Sequence, residues 1–206
     1  MTGRTRAAVA ALAIAVAIGA TLGAVPAART SAGGQWRTLD PEKAMDAIGL
    51  APGMIIGEAG AGGGYFTFPM IRRIGAGGAI YANDIDERAL AQLRSRAERE
   101  GHTNIHTVVG RTDDPLFPRK DLEMVVVVHA LHDFDKPVEW MVNLKKYLRP
   151  GGTLAVIDID PERNHDRHFW PRARILEYAS QAGYDLVKIV DDPVEHMFVI
   201  LKPRPS

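Results

Sequence analysis

From residue 38 onward the chain alternates between two hydrophobic rhythms. TLDPEKAMDAIGL sets Ala44, Met45 and Ile48 on one helical face, with Asp40 placed to cap the helix, Pro41 at its first position and Gly49 to close it. MIIGEA is a short apolar run at strand length, followed by the glycine-rich stretch EAGAGGGYFTF (58–68). YFTFPMIRRIG then reads as an amphipathic helix that Pro69 is expected to kink or delay. AIYAND predicts a second strand, DERALAQLRSRAERE a charged helix ending at Gly101, and NIHTVVG a third strand. LEMVVVVHAL holds four consecutive valines, the pattern of a strand buried on both faces. Residues 135–149 predict a helix that RPGG breaks, TLAVIDID a fifth strand, residues 171–182 a helix, and Tyr184 onward and MFVILK the last two strands. Strands separated by helices imply a mainly parallel sheet covered on both faces, an α/β fold whose ligands sit at the carboxyl ends of the strands.

The first residues follow neither rhythm. MTGRTR carries two arginines, and the run from Ala7 to Ala28 has no charge, the pattern of a secretory signal with small residues for cleavage at Val25-Pro26-Ala27. An uncleaved membrane anchor is the alternative, because the run is just long enough to span a bilayer. The expected organisation is therefore a leader or anchor over 1–27, a linker over 28–37 (ARTSAGGQWR) and one domain over 38–206. An exported location follows as an expectation.

Charge and cysteine narrow the chemistry. Lys plus Arg and Asp plus Glu both total 25; without the two leader arginines the balance is 23 against 25, or −2, so nothing predicts a nucleic-acid partner. The absence of cysteine removes disulfides, thiolate metal sites, a cysteine nucleophile and a lipid-attachment cysteine.

The glycine cluster lies directly after the first strand. A ligand approaching the backbone there would need such glycines, and so would a tightly packed turn. Gly60, Gly62 and Gly64 follow x-G-x-G-x-G, whereas the dinucleotide fingerprint G-x-G-x-x-G would need glycine where Tyr65 stands, and no Gly-Lys-Ser/Thr of a phosphate loop follows. Asp84 ends the second strand about 20 residues further on, where an acid can accept two ribose hydroxyls. Its alternative role is a helix cap, which Asp86 can fill instead.

Acid-x-G-x-G-x-G after a first strand resembles motif I of the class I S-adenosylmethionine-dependent methyltransferases. LRPGGTLAVIDID is similar to the LKPGG segment and fifth strand of that family, and VVGRTDDP to its adenine-contact loop. The resemblance covers 38–202 and implies one doubly wound Rossmann-like domain, with a mainly parallel seven-stranded sheet and an antiparallel last strand. It further implies S-adenosylmethionine as cofactor. Gly60, Gly62 and Gly64 would meet the amino-acid part, Glu58 its ammonium, Asp84 the ribose and Asp113 the exocyclic amine; His129, closer to the strand and a further candidate at the cofactor, would either line the pocket or be buried.

VVGRTDDPLFP and VVVVHALHDFDKP also resemble a bacterial subgroup of predicted methyltransferases that often carry export signals. The matching stretches are Gly110 to Pro115, Leu131-His132-Asp133-Phe134, and His168 with Ala182-Gly183-Tyr184. Glu58 stands where Asp is commoner, Arg111 where many relatives outside the subgroup carry an acid, and Leu131 where tyrosine is usual.

The resemblance implies His132, Asp133 and His168 as catalytic residues. His132 titrates near neutral pH and would be the base, with Asp133 to orient its ring; a hydrogen-bonded pocket wall is the alternative. The acids, His165 and His168 of DIDPERNHDRHFW (158–170) match no ligand spacing of the H-E-x-x-H kind, so that loop is expected to be solvated and substrate-facing, without a metal. Phe169 and Trp170 would wall an acceptor or cover the sheet edge. The expected function is methyl transfer to a small-molecule acceptor. A cofactor-binding module without catalysis and a nicotinamide-dependent oxidoreductase are the alternatives, Tyr65 arguing against the second.

Overall fold

Seven strands lie in one sheet: β1 (Ile55–Ala59), β2 (Ala79–Asp84), β3 (Ile105–Val109), β4 (Leu122–Val128), β5 (Leu148–Ile159), β6 (Tyr184–Asp191) and β7 (His196–Pro203). Their order is β3-β2-β1-β4-β5-β7-β6. The first five pair in parallel, and β7 runs antiparallel to both neighbours. The computed structural model describes residues 39–191 and 195–205. The expected leader, anchor and linker lie outside the described residues. Among the latter, no helix is long and apolar enough to cross a membrane.

Two cores explain the four valines. Val126 and Val128 pack with Met45, Ile48, Phe68, Ile71 and Leu93, from helices α1 (Pro41–Ile48), α2 (Thr67–Ile74) and α3 (Glu87–Arg99). Val125 and Val127 pack on the opposite face with Trp140, Met141, Leu144, Ile175 and Ala179, from α4 (Pro137–Leu144) and α6 (Arg172–Gln181). Successive side chains of a strand point to opposite faces, so a strand covered twice must be apolar throughout.

The caps follow the sequence. Asp40 accepts from the backbone N–H of Glu42 and Lys43, and Gly49 closes α1 at φ 77°. Asp86 caps α3 by accepting from Arg88 and Ala89. Pro69 delays α2, which starts only at Thr67; the proline then falls in the first turn, where a missing N–H costs no helical bond.

Two expectations shift. The helix expected over 135–149 stops at Leu144 and tightens into a 3-10 turn, Lys145–Tyr147. RPGG does not precede the fifth strand but lies within it. Leu122 pairs with Leu148 and Met124 with Thr153, so Arg149–Gly152 bulges opposite the single residue Glu123. The Arg149 guanidinium meets the Glu123 carboxylate there at 3.0 Å. A short α5 (Pro161–Asn164) follows β5.

Candidate active site

At the carboxyl ends of β1, β2 and β4 a cleft of about 410 Å³ is lined by Gly60, Asn83, Asp84, Ile85, Arg111, Thr112, Asp133, Phe134, Asp135 and Trp140.

The glycines form its turn for three different reasons. Gly60 sits at φ 72°, and a Cβ there would come within 2.4 Å of the Ala130 Cβ, so packing alone demands glycine. Gly64, at φ 88°, is crowded by Phe68 at 2.7 Å. Gly62 sits at φ 50° with nothing within 4 Å of a Cβ position. Of the three, Gly62 is the one where left-handed backbone borders open space, while Gly60 is the one that lines the cleft.

Asp84 is built into this turn. One carboxylate oxygen accepts the Gly62 N–H at 2.8 Å and the other the Asp86 N–H at 2.9 Å. With Asp86 capping α3, Asp84 is left to the cleft it lines. Beside it the exposed, apolar Ile85 offers a surface for a flat ring, and Phe134 and Trp140 supply further apolar wall.

The other expected cofactor residues lie elsewhere. Glu58 is buried, accepts the Thr67 hydroxyl at 2.5 Å and is not among the cleft-lining residues. Burial pushes its pKa up to about 8, with the nearby Asp84 charge adding to the rise and the Thr67 bond opposing it. Asp113 does not line the cleft either: it pairs with Arg111 at 3.5 Å, and Arg111 and Thr112 face the cleft instead. The buried member of the Asp113-Asp114 pair is Asp114, which accepts from the Tyr147 hydroxyl at 2.7 Å, the Leu116 N–H at 3.0 Å and the Lys146 ammonium at 2.5 Å. Asn83 pins the same loop through the carbonyls of Val108 and Pro115, and its amide leaves no room for a Cβ at Gly110. His129, at φ 48°, stacks face to face on His196 with ring centroids 5.1 Å apart. Burial lowers its pKa to about 3, the nearby His196 and His132 adding to the fall, and it is not among the residues lining the cleft.

The three residues expected to be catalytic do converge. His132 and Asp133 occupy the 3-10 turn Leu131–Asp133 that follows β4, and His168 arrives from the loop between α5 and α6. Asp133 lies 3.7 Å from His132 Nε2 and 3.5 Å from His168 Nε2, and the two imidazoles meet edge to face at 4.7 Å. Behind them stands a residue the sequence reading missed. Asp158, fully buried near the end of β5, takes His132 Nδ1 at 2.8 Å and accepts the Ile159 N–H at 2.9 Å. An acid alternating with isoleucines in TLAVIDID was the available signal. Burial works to lower the His132 pKa, but the Asp158 bond and the charges of Asp158, Asp133 and Asp166 outweigh it and raise the value. Phe169 is buried edge-on against the His132 ring at 4.7 Å, while Trp170 packs on Tyr178.

Residues 56–152 match the family described as Methyltransferase domain. The ubiquinone/menaquinone biosynthesis C-methyltransferase UbiE of Hydrogenovibrio crunogenus is 23% identical over 56% of this chain and 46% of its own. Nocamycin O-methyltransferase of Saccharothrix syringae is 25% identical over 54% of this chain and 40% of its own. The chain thus spans about half the length of these curated relatives. An S-adenosylmethionine-dependent methyltransferase from Aquifex aeolicus shares the fold with a TM-score of 0.74 at 20% identity, over 79% of this chain and 88% of that one. In sheet order the chain has the fold of the S-adenosylmethionine-dependent methyltransferases, and its residues 56–152 match a methyltransferase domain.

Proposed function

We propose that the chain transfers a methyl group from S-adenosylmethionine to a small acceptor that gives up an O–H or C–H proton. One observation carries the reading: Asp133, which meets His132 and His168, lines the same cleft as Gly60 and Asp84. The cofactor, when bound, supplies a methyl already activated by a sulfonium charge. The chain's own residues then have to position, exclude water and deal with the acceptor proton. Asp84 would take the ribose hydroxyls, the Gly62 backbone the amino-acid part, and Ile85, Phe134 and Trp140 the adenosine rings. The His132 group would hold the acceptor's reacting atom. The names of the relatives divide between carbon and oxygen acceptors, which supports the class and leaves the compound open.

The uncharged run before residue 28 supports action after export. The test is to incubate the protein with methyl-labelled S-adenosylmethionine and a panel of phenols, quinols and extracts of its host, alongside calorimetry of the cofactor. Labelled product is the expected result. Cofactor binding without labelled product across the panel favours a binding module, and no cofactor binding overturns the reading.

A further inference from the structure

Among the described residues, His132, Asp133 and His168 each offer a ligand atom, and these atoms all lie within 4.8 Å of one another. Their spacing is close to that of a coordination shell. Ligands held about 2.0–2.2 Å from a tetrahedral ion stand roughly 3.3–3.6 Å apart; here one Asp133 oxygen is 3.7 Å from His132 Nε2 and the other 3.5 Å from His168 Nε2. The carboxylate therefore lies between the two imidazoles with one oxygen turned to each.

A second, independent observation concerns orientation. Asp158 is buried and its carboxylate is fixed by the Ile159 N–H, so it holds His132 by Nδ1 and leaves Nε2 toward the other two residues. Metal-bound histidines almost always donate their other ring N–H to a carboxylate, a backbone carbonyl or water, and Asp158 stands where that support is needed. Phe169 braces the same ring edge-on. The His132 side chain is only 3% exposed, whereas Asp133 and His168 are 63% and 54% exposed, which gives an ion both an anchored ligand and a path of entry.

We propose that His132, Asp133 and His168 bind a divalent first-row transition ion of the zinc class, with at least one coordination position open beside the cleft that Asp133 also lines. Two imidazoles and one carboxylate suit such ions, while magnesium and calcium prefer oxygen-only shells. This is not the 158–170 loop acting alone: only His168 comes from that loop, and the fold brings the other two ligands from the turn after β4. The role of the ion rests on the methyl-transfer reading. At the open position it would bind an acceptor hydroxyl and ease its loss of a proton to solvent, as a Lewis acid does.

The test uses tag-free full-length chain, stripped with a chelator and titrated with Zn²⁺ by calorimetry and with Co²⁺ by visible absorption. The expected result is one ion per chain with Kd below about 10 μM and the d–d bands of a low-coordinate Co²⁺ site. His168→Ala, at an exposed position that leaves folding intact, should weaken binding more than about tenfold, and Asp158→Asn by roughly 10–100-fold as a supporting carboxylate does. His165→Ala, in the same loop but outside the group, should leave it unchanged. No Zn²⁺ binding tighter than about 100 μM, or equal binding in His168→Ala and the parent, overturns the proposal. Calorimetry of S-adenosylmethionine on the stripped protein keeps the two readings apart. Cofactor binding without ion binding removes the ion alone, and ion binding without cofactor binding removes the methyl-transfer reading alone.

Discussion

The Asp84 carboxylate accepts the backbone N–H of Gly62, 22 residues earlier in the chain, at 2.8 Å. The bond joins the end of β2 to the turn after β1, so the acid and the glycine backbone form one rigid corner. A ribose bound at Asp84 meets a carboxylate already fixed, and little ordering remains to be done on binding.

Asp84→Ala should therefore lose about 1–3 kcal/mol of S-adenosylmethionine affinity, the size of a charge-assisted pair of hydrogen bonds. Asp86→Ala should instead cost about 1 kcal/mol of stability as a lost helix cap and leave affinity alone. Calorimetry and thermal melting on both variants decide it; a reversed pattern exchanges the two roles.

The turn glycines should separate in the same way. Gly60→Ala drives a methyl to 2.4 Å from Ala130 at positive φ and should cost roughly 2–4 kcal/mol of stability. Gly62→Ala meets open space and should cost roughly 1–2 kcal/mol for its left-handed backbone. Gly62→Val should still fold and fail to bind cofactor. Equal losses of stability at positions 60 and 62 in denaturant titrations would contradict this ordering.

Glu58 predicts a pH dependence. Its folded pKa of about 8 stands above the ordinary 4.5, so the folded state keeps a proton that the unfolded state releases. The contribution is fully present below pH 4.5 and is lost as pH rises through about 8. Glu58→Gln should accordingly flatten the fall in stability between these limits and be the more stable protein above pH 8. Unfolding curves at both ends of the window, for parent and variant, measure it.

His132→Ala should leave cofactor affinity nearly unchanged and lower turnover by roughly 10²–10⁴-fold, the usual weight of a group on which loss of the acceptor proton depends. Asp133→Asn should show a smaller loss in the same direction. A rise in acceptor KM with turnover intact would make His132 a wall residue only.

What could be read in advance was whatever depends on neighbours in sequence. The valines of β4, the caps Asp40 and Asp86 and the glycine rhythm each declare themselves within a few residues. Roles set by partners far along the chain did not. Asp113 and Asp114 are indistinguishable in VVGRTDDP; Tyr147 and Lys146, more than thirty residues away, decide which is buried. Asp158 belongs to an apolar strand until β4 and the turn after it set His132 against it. RPGG reads as the end of a helix because proline and glycine usually stop one, yet the helix has already ended at Leu144 and Leu148 is paired with Leu122, so the four residues become a strand bulge.

Strand β7 lies between β5 and β6 although it follows both in the chain. Until it is made, β5 and β6 cannot join, and each exposes an unpaired edge of backbone donors and acceptors. The same strand brings His196, the stacking partner of His129, and directly before it stands Glu195, whose carbonyl receives the Asp160 N–H at 2.7 Å. Completion of the sheet and the placing of His196 against His129 therefore both wait on β7. A ribosome-bound chain lacking β7 has neither, and it presents to its surroundings the sticky edges that holding chaperones exist to cover.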